Sequence, residues 1–476
     1  MHTLANQHPK TLRIFFATEM WERYGFYVVQ TLLALYLALH FAWPDKDVYE
    51  LVGSFTALTY LSPVLGGWIA DHLIGQKRAI LLGALILLFS YFFLSLSNSN
   101  STLCSCLAGI VVGTGLLKPN ISSLLGNEYP EGAPNRESGF TIFYMGLTTG
   151  IIFGTTLPSY LNEHYGWSTA FLSASLGMII AGAVFMYGIR VYRIQDYRGY
   201  QFSYQKIALA LMLLLGLWKL SLYILNYSIL ADLVFILVVF LSVFYIIYSV
   251  KHESDIQAKQ TIVIGLLCLI SVFFWAFYFQ MFMSLTLFIM RVVNPTVFGF
   301  AFPPPYYVGI QSVGMILLGL FLARGKRPLS QQQQVIRTGN KFLTSMLCMT
   351  IAYGLITIIC HFNFPYGLLS PLYLIPAYLV ISLAEMLLSP VGLSAVTVLA
   401  SRKRVSTMMG IFFVSLGVGA FLSGKLAKLT AVPIDITSIS QLKMHYASSF
   451  LSLLFILVGA TLFCIILNAI IKKLMS

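Results

Sequence analysis

Apolar residues run along this chain in long blocks separated by short polar turns. A helix needs about 20 apolar residues to cross a bilayer, and about fourteen blocks approach that length. Six lie within the first part, at about 13–41, 50–74, 78–97, 102–125, 138–162 and 168–190. A basic, tyrosine-rich stretch from Arg190 to Tyr200 leads into two more, at about 204–226 and 230–250, with few polar residues beyond Lys219, Asn226 and Asp232. After the polar linker Lys251 to Gln260 come six others, at about 260–291, 304–323, 341–361, 370–399, 404–427 and 447–471. The six, two, six pattern predicts an all-α polytopic membrane protein with 14 transmembrane helices. Residues 1–190 form an N-terminal six-helix bundle in this reading, 191–259 a two-helix insertion with cytoplasmic linkers, and 260–476 a C-terminal six-helix bundle. Two equal halves are the layout of carriers that rock around a midplane site.

Composition agrees with that class. Hydrophobic residues make up 58% of 476 positions and charged ones 9%, against roughly 25% charged in soluble domains. A net charge of +13 raises the question of nucleic acid, but the basic residues sit mainly in short turns and form no soluble basic face. Their clusters, including Lys10/Arg13, Arg190/Arg193/Arg198, Arg402/Lys403/Arg404 and Lys472/Lys473, alternate onto one side if both termini are cytoplasmic. Lys425, Lys428 and Lys443 break the rule. The first apolar segment is long, carries charges and lacks a small-residue cleavage pattern, so it is expected to stay as a helix. Six scattered cysteines, with Cys104 and Cys106 two apart, imply packing and no metal.

Three charges interrupt the first span: Glu19, Glu22 and Arg23. Each would cost roughly 2.5–3.5 kcal/mol at a bilayer centre, so such residues face a bundle interior or a watery cavity. Their spacing puts them on one helix face, which Tyr27 and Gln30 continue.

Gly67-Trp-Ile-Ala-Asp71-His-Leu-Ile-Gly75-Gln-Lys77-Arg78, at the end of the second span, resembles the loop signature of the major facilitator superfamily. Glu19-x-x-Glu22-Arg23 resembles the ExxER signature of the proton-dependent oligopeptide transporter family within it. Gly113-Thr-Gly115-Leu-Leu-Lys118-Pro119, Phe143-Tyr144-Met-Gly146-Leu-Thr-Thr-Gly150 and Glu385-Met-Leu-Leu-Ser389-Pro390 resemble further stretches of that family. The resemblance implies a major facilitator fold, two six-helix bundles with two extra helices between them, and proton-coupled symport of di- and tripeptides by alternating access. It implies no enzyme activity, no cofactor, and as partners small peptides, protons and the lipid bilayer. The expected setting is a bacterial inner membrane and the expected state a monomer.

A short peptide is a zwitterion, and the resemblance distributes its contacts. Arg23, Tyr27, Tyr60 and Lys118 are expected at its carboxyl end, Glu385 and Ser389 at its amino end, and Trp275 and Phe413 along its side chains. Asp71, Lys77 and Arg78 are expected to hold a cytoplasmic gate. Proton coupling is assigned to Glu19, Glu22 and Glu385. Beside Arg23, Glu22 stays ionised; once a substrate carboxylate claims Arg23 and Lys118, a buried acid without its partner takes up a proton.

The chain departs from the family at informative places. Gln30 stands where a second arginine is usual, and Phe279 where the first span of the second half, the seventh when the inserted pair is not counted, usually carries glutamate. In the family those two form an ion pair between the halves; losing one partner strands a buried charge, whereas losing both can be nearly neutral. Thr148 and Gly314 replace two asparagines that usually contact the peptide, which keeps Gln30 and Thr148 among the substrate-facing positions but leaves the solute open. Met290 replaces the acid before Arg291. The alternative is a carrier or facilitator of the same fold for another small zwitterion or anion, with altered or absent proton coupling. An enzyme would need a nucleophile and base or an acidic metal cluster near one face, and none is evident in the sequence.

Overall fold

The computed structural model describes residues 8–129, 135–196, 203–322, 331–361, 367–401, 404–433, 436 and 438–475. Among them the chain is almost entirely helical. Its helices are α1 (Leu12–Leu39), α2 (Asp45–Ile69), α3 (Gln76–Ser95), α4 (Asn100–Asn127), α5 (Arg136–Tyr165), α6 (Trp167–Tyr192), α7 (Tyr204–Asn226) and α8 (Ser228–Lys251). They continue with α9 (Asp255–Tyr278), α10 (Ser284–Val292), α11 (Pro305–Leu322), α12 (Gln331–His361), α13 (Ile375–Leu399), α14 (Val405–Ala427) and α15 (Ile439–Met475). α9 and α10 form one broken span, so fourteen long helical segments result among the described residues, as the hydrophobic pattern predicts. Eleven helices among the described residues are long and apolar enough to cross a membrane.

Several ends differ from the sequence expectation for physical reasons. α2 starts at Asp45, before the apolar run, because Asp45 and Asp47 occupy its first turn, where acids favour the positive helix terminus. α15 begins eight residues early, carrying Gln441, Lys443 and His445 as a polar extension. The seventh span breaks into a 3₁₀ turn at Phe279–Phe282. There Gln280 donates to the Ser423 carbonyl at 2.8 Å and accepts from Ser284 at 2.5 Å, so side chains hold the interruption.

Contacts divide the chain into two compact units: Met1–Leu33 with Leu58–Ser228, and Ala34–Ala57 with Ile229–Ser476. In the first, glycines bring backbones together. A Cβ on Gly66 of α2 would strike the Gly115 carbonyl of α4. On α5, Gly146, Gly150 and Gly154 recur every four residues and meet Phe16, Met20 with Arg23, and Tyr24 with Tyr27 of α1. This small-residue stripe seats α1 directly against α5. The helix pair inserted between the halves divides between the units. α7 joins the first, with Ala210 and Leu214 packed among Ile69, Ala70, Val112 and Leu116, and Trp218 donating to the Ser105 carbonyl at 3.1 Å. α8 joins the second, where Phe235 stacks on Phe421 with ring centroids 4.2 Å apart. A two-residue antiparallel pair, Thr296–Val297 with Phe300–Ala301, makes the only sheet among the described residues.

Candidate functional site

The charged face of α1 lies in the interior of the first unit. Glu19 is 3% exposed, Glu22 0% and Arg23 3%. Arg23 holds Glu22 by two bonds, from Nε and from Nη2, the latter at 2.6 Å, and its Nε lies 3.4 Å from Glu19 Oε1. Glu19 Oε2 has no hydrogen-bond partner among the described residues. Lys118 of α4 lies over the Tyr60 ring of α2, its Nζ 4.4 Å from the centroid, and adds a second cation in electrostatic reach of both acids. Two acids and two cations thus share one apolar unit, and α5 reaches Arg23 through Gly150. Tyr27 and Tyr60 are half-buried, and Gln30 is 2% exposed on the same helix as Arg23. Thr148 spends its hydroxyl on the Tyr144 carbonyl one turn back, at 3.1 Å.

The second unit contains Trp275, Glu385, Ser389 and Phe413, of which Glu385, Ser389 and Phe413 are half-buried. Glu385 accepts from Gln311 Nε2 at 2.5 Å and is hydrogen-bonded by Tyr278. Those partners are neutral. The sequence did not single out Gln311, which carries no charge and no motif; Tyr278 lies within the aromatic stretch of the seventh span. Trp275 is 4% exposed, and its indole N–H has no acceptor among the described residues. Phe279 is 1% exposed and stacks on Trp275, centroids 5.3 Å apart, with Tyr278 and Phe282 adjacent. The position read from sequence as a departure from the family's usual acid is therefore part of an aromatic core. At Gly314 a Cβ would stand 2.6 Å from Ser382 Oγ, so α11 and α13 pack too closely there for an asparagine.

The residues assigned to a gate cluster around one turn. Asp71 lies in a π-helical turn, Ala70–Ile74, and Gly75 follows at φ 86°, ψ 153°, a conformation essentially reserved for glycine. Asp71 and Arg78 are exposed and Lys77 half-buried. The backbone N–H of Lys77 donates to Asp196 at 2.8 Å, so an acid caps the start of α3.

A second set of charges pairs in ways the sequence did not reveal: Lys425, Lys428 and Lys443 stood out only as exceptions to the charge rule, and their partners did not stand out. Within the second unit, Asp45 and Arg291 form a two-bond pair with both distances 2.7 Å. Glu50 accepts from Lys425 at 2.9 Å and Lys428 at 2.7 Å, and Lys425 also meets Asp232 of α8 at 2.6 Å. Lys443 donates to the Gly367 carbonyl. These contacts account for the three lysines that break the charge asymmetry: each has a partner.

Long apolar helices around an interior cluster of opposite charges define a polytopic membrane protein with a polar internal site, the class that contains solute carriers. Comparison with known proteins narrows the class. The POT family model (PTR2) matches residues 77–442, and the chain belongs to that family. It is 31% identical over 436 residues to dipeptide and tripeptide permease A of Yersinia pestis, covering 90% of this chain and 86% of that protein. To the permease of the same name from Serratia proteamaculans (strain 568) it is 30% identical over 457 residues, covering 94% and 89%. Among solved structures, tetrameric PepTSo2 is similar with a TM-score of 0.85 at 26% identity, covering 98% of this chain and 99% of that one. A proton-dependent oligopeptide transporter studied for substrate recognition has a TM-score of 0.82 at 25% identity, with the same coverage.

Proposed function

We propose that this chain is a proton-coupled symporter that takes up di- and tripeptides by alternating access. The observation that carries the reading is the buried pair of Glu22 and Arg23, with Lys118 as a second cation. A peptide carboxylate competes with Glu22 for Arg23. As Arg23 and Lys118 turn to the substrate, Glu22 loses its counter-charge in an apolar interior and takes up a proton. Release of that proton lets Glu22 recapture Arg23 and expels the carboxylate. Tyr27 and Tyr60 flank these cations, with Gln30 and Thr148 as less demanding neighbours. Glu385, held by neutral donors, is free to receive an ammonium, with Ser389 beside it. Trp275, whose N–H is unspent, and Phe413 serve the substrate's side chains. Asp71, Lys77 and Arg78 form the cytoplasmic gate.

The chain works as a monomer in a bacterial inner membrane with both termini cytoplasmic in this reading, and the residue ranges 1–190, 191–259 and 260–476 are its functional blocks. Phe279 favours one alternative: with an aromatic residue in place of the seventh-span acid, the same fold would move a small zwitterion or anion without protons. Uptake of labelled dialanine into proteoliposomes, with and without an inward proton gradient, separates the two. The symporter accumulates substrate only with the gradient, and Glu22→Gln abolishes accumulation while leaving exchange of internal for external peptide. Accumulation retained in Glu22→Gln refutes the role given to Glu22, and gradient-independent uptake by the unaltered chain favours the facilitator.

A further inference from the structure

Tyr91 of α3 is a fully buried tyrosine whose hydroxyl has no hydrogen-bond partner among the described residues. A buried hydroxyl without a partner is costly, and phenylalanine would fill the same space without that cost. The hydroxyl therefore calls for a use in some other state of the molecule. Its surroundings indicate which one. A Cβ on Gly25 of α1 would stand 3.0 Å from the Tyr91 ring, and Gly25 lies one turn beyond Glu22 on the same face of α1. Tyr91 also feels the charges of Glu22 and Arg23.

The charged groups around Glu22 come from several helices. α1 supplies Arg23, which occupies both Glu22 oxygens, and Glu19. α4 supplies Lys118. α5 presents Gly150 at Arg23, and α6 presents the Ala174 carbonyl at Gly25 and Gly177 at Tyr24, none of them titratable. Tyr27 of α1 is in electrostatic reach of Arg23, and Tyr60 of α2 carries Lys118 over its ring. Tyr91 is the tyrosine in electrostatic reach of Glu22 itself whose hydroxyl has no hydrogen-bond partner among the described residues.

Resting on the proton-coupling role given to Glu22, we propose that Tyr91 is the positioning residue that receives this acid when it leaves Arg23. The protonated carboxyl then donates its O–H to the phenol oxygen, and the proton stays on Glu22. With Arg23 in place the phenol waits unpaired. With Arg23 drawn to substrate, the phenol keeps the neutral acid from turning back.

Tyr91→Phe tests this, because it keeps the ring and removes only an atom that makes no hydrogen bond in the present structure. Peptide exchange and its KM stay as they are, which reports an intact carrier. The pH at half-maximal gradient-driven uptake moves down by about half a unit to one unit, since a neutral acid without its acceptor needs more protons to form. In a Glu22→Gln background the same change has no effect on exchange at any pH. An unaltered pH midpoint in Tyr91→Phe overturns the inference, as does a loss of exchange equal to the loss of uptake. Accumulation that survives Glu22→Gln overturns the parent reading and this one with it. If Glu22→Gln abolishes accumulation and the Tyr91→Phe midpoint is unmoved, only the role of Tyr91 falls.

Discussion

Glu22 and Arg23 are adjacent in sequence and yet form a two-bond ion pair with each other. Successive side chains on a helix diverge by about 100°, so the pair closes because the long arginine side chain folds back along α1. Folding back keeps the guanidinium buried beside two acids, and Glu19 lies 3.4 Å from the same Nε.

Removing one partner is therefore costlier than removing both. Arg23→Met leaves Glu22 and Glu19 buried with Lys118 as their remaining cation, and a broken buried pair costs about 3–5 kcal/mol. The midpoint of thermal unfolding in detergent is expected to fall clearly for Arg23→Met and to recover most of the loss in Glu22→Gln/Arg23→Met. A double variant no more stable than the single one would mean that the stranded charge is not the source.

α5 offers a separate test of how the charged face is seated. A Cβ at Gly150 meets the Met20 carbonyl and the Arg23 Cβ, whereas one at Gly182 of α6 meets nothing within 4 Å. Gly150→Val is expected to lose about 1–3 kcal/mol or more through overpacking and to disturb substrate affinity by shifting Arg23. Gly182→Ala is expected to unfold at the same temperature as the unaltered chain or slightly higher. Equal behaviour of the two variants would remove the case for direct contact between α1 and α5.

The sequence made the helices legible because a bilayer demands long apolar runs, and it made the first-unit charges legible because lipid penalises each of them. Glu19, Glu22 and Arg23 stood out for that reason and are found buried and paired. Tyr91, Gln311 and Tyr278 did not, since a neutral polar residue in an apolar span carries little penalty and reveals its role only through its neighbours. The pairing of Glu50 with Lys425 and Lys428 was hidden for another reason. Its partners are separated by more than 370 positions, and the only sign was lysines on the side where the charge rule expects few. The start of α2 at Asp45 was missed because acids in a first turn extend a helix beyond its apolar stretch.

Phe279 can be challenged directly. It lies among Trp275, Tyr278 and Phe282 with 1% of its surface exposed. Phe279→Glu restores the acid usual in the family but places it inside that aromatic cluster, while Phe279→Gln loses the packing and adds only a neutral polar group. A buried charge costs more than a buried amide, so Phe279→Glu is expected to unfold at a lower temperature than Phe279→Gln at neutral pH. The reverse order, or restored stability in the glutamate variant, would show that a cation is within reach of this position.

The pair of Asp45 and Arg291 makes the most demanding prediction, because Asp45 has a second duty. Besides both bonds from Arg291, its Oδ2 accepts the backbone N–H of Val432 at 3.0 Å, and Arg291 also donates to the Tyr446 hydroxyl at 3.0 Å. Asp45 is nearly buried and Arg291 about a quarter exposed, so Arg291→Met is expected to cost roughly 3 kcal/mol, the low end for a broken buried pair. Asp45→Asn keeps an acceptor for Val432 and should cost less than Asp45→Ala, which leaves that N–H unserved and the guanidinium with the Tyr446 hydroxyl alone of its present acceptors. The exchanged variant Asp45→Arg/Arg291→Asp restores opposite charges but offers Val432 only donors, so thermal unfolding is expected to show partial rescue. Full rescue would reduce the interaction to charge alone; partial rescue ties the α2 start to the segment after α14 through one carboxylate that satisfies both.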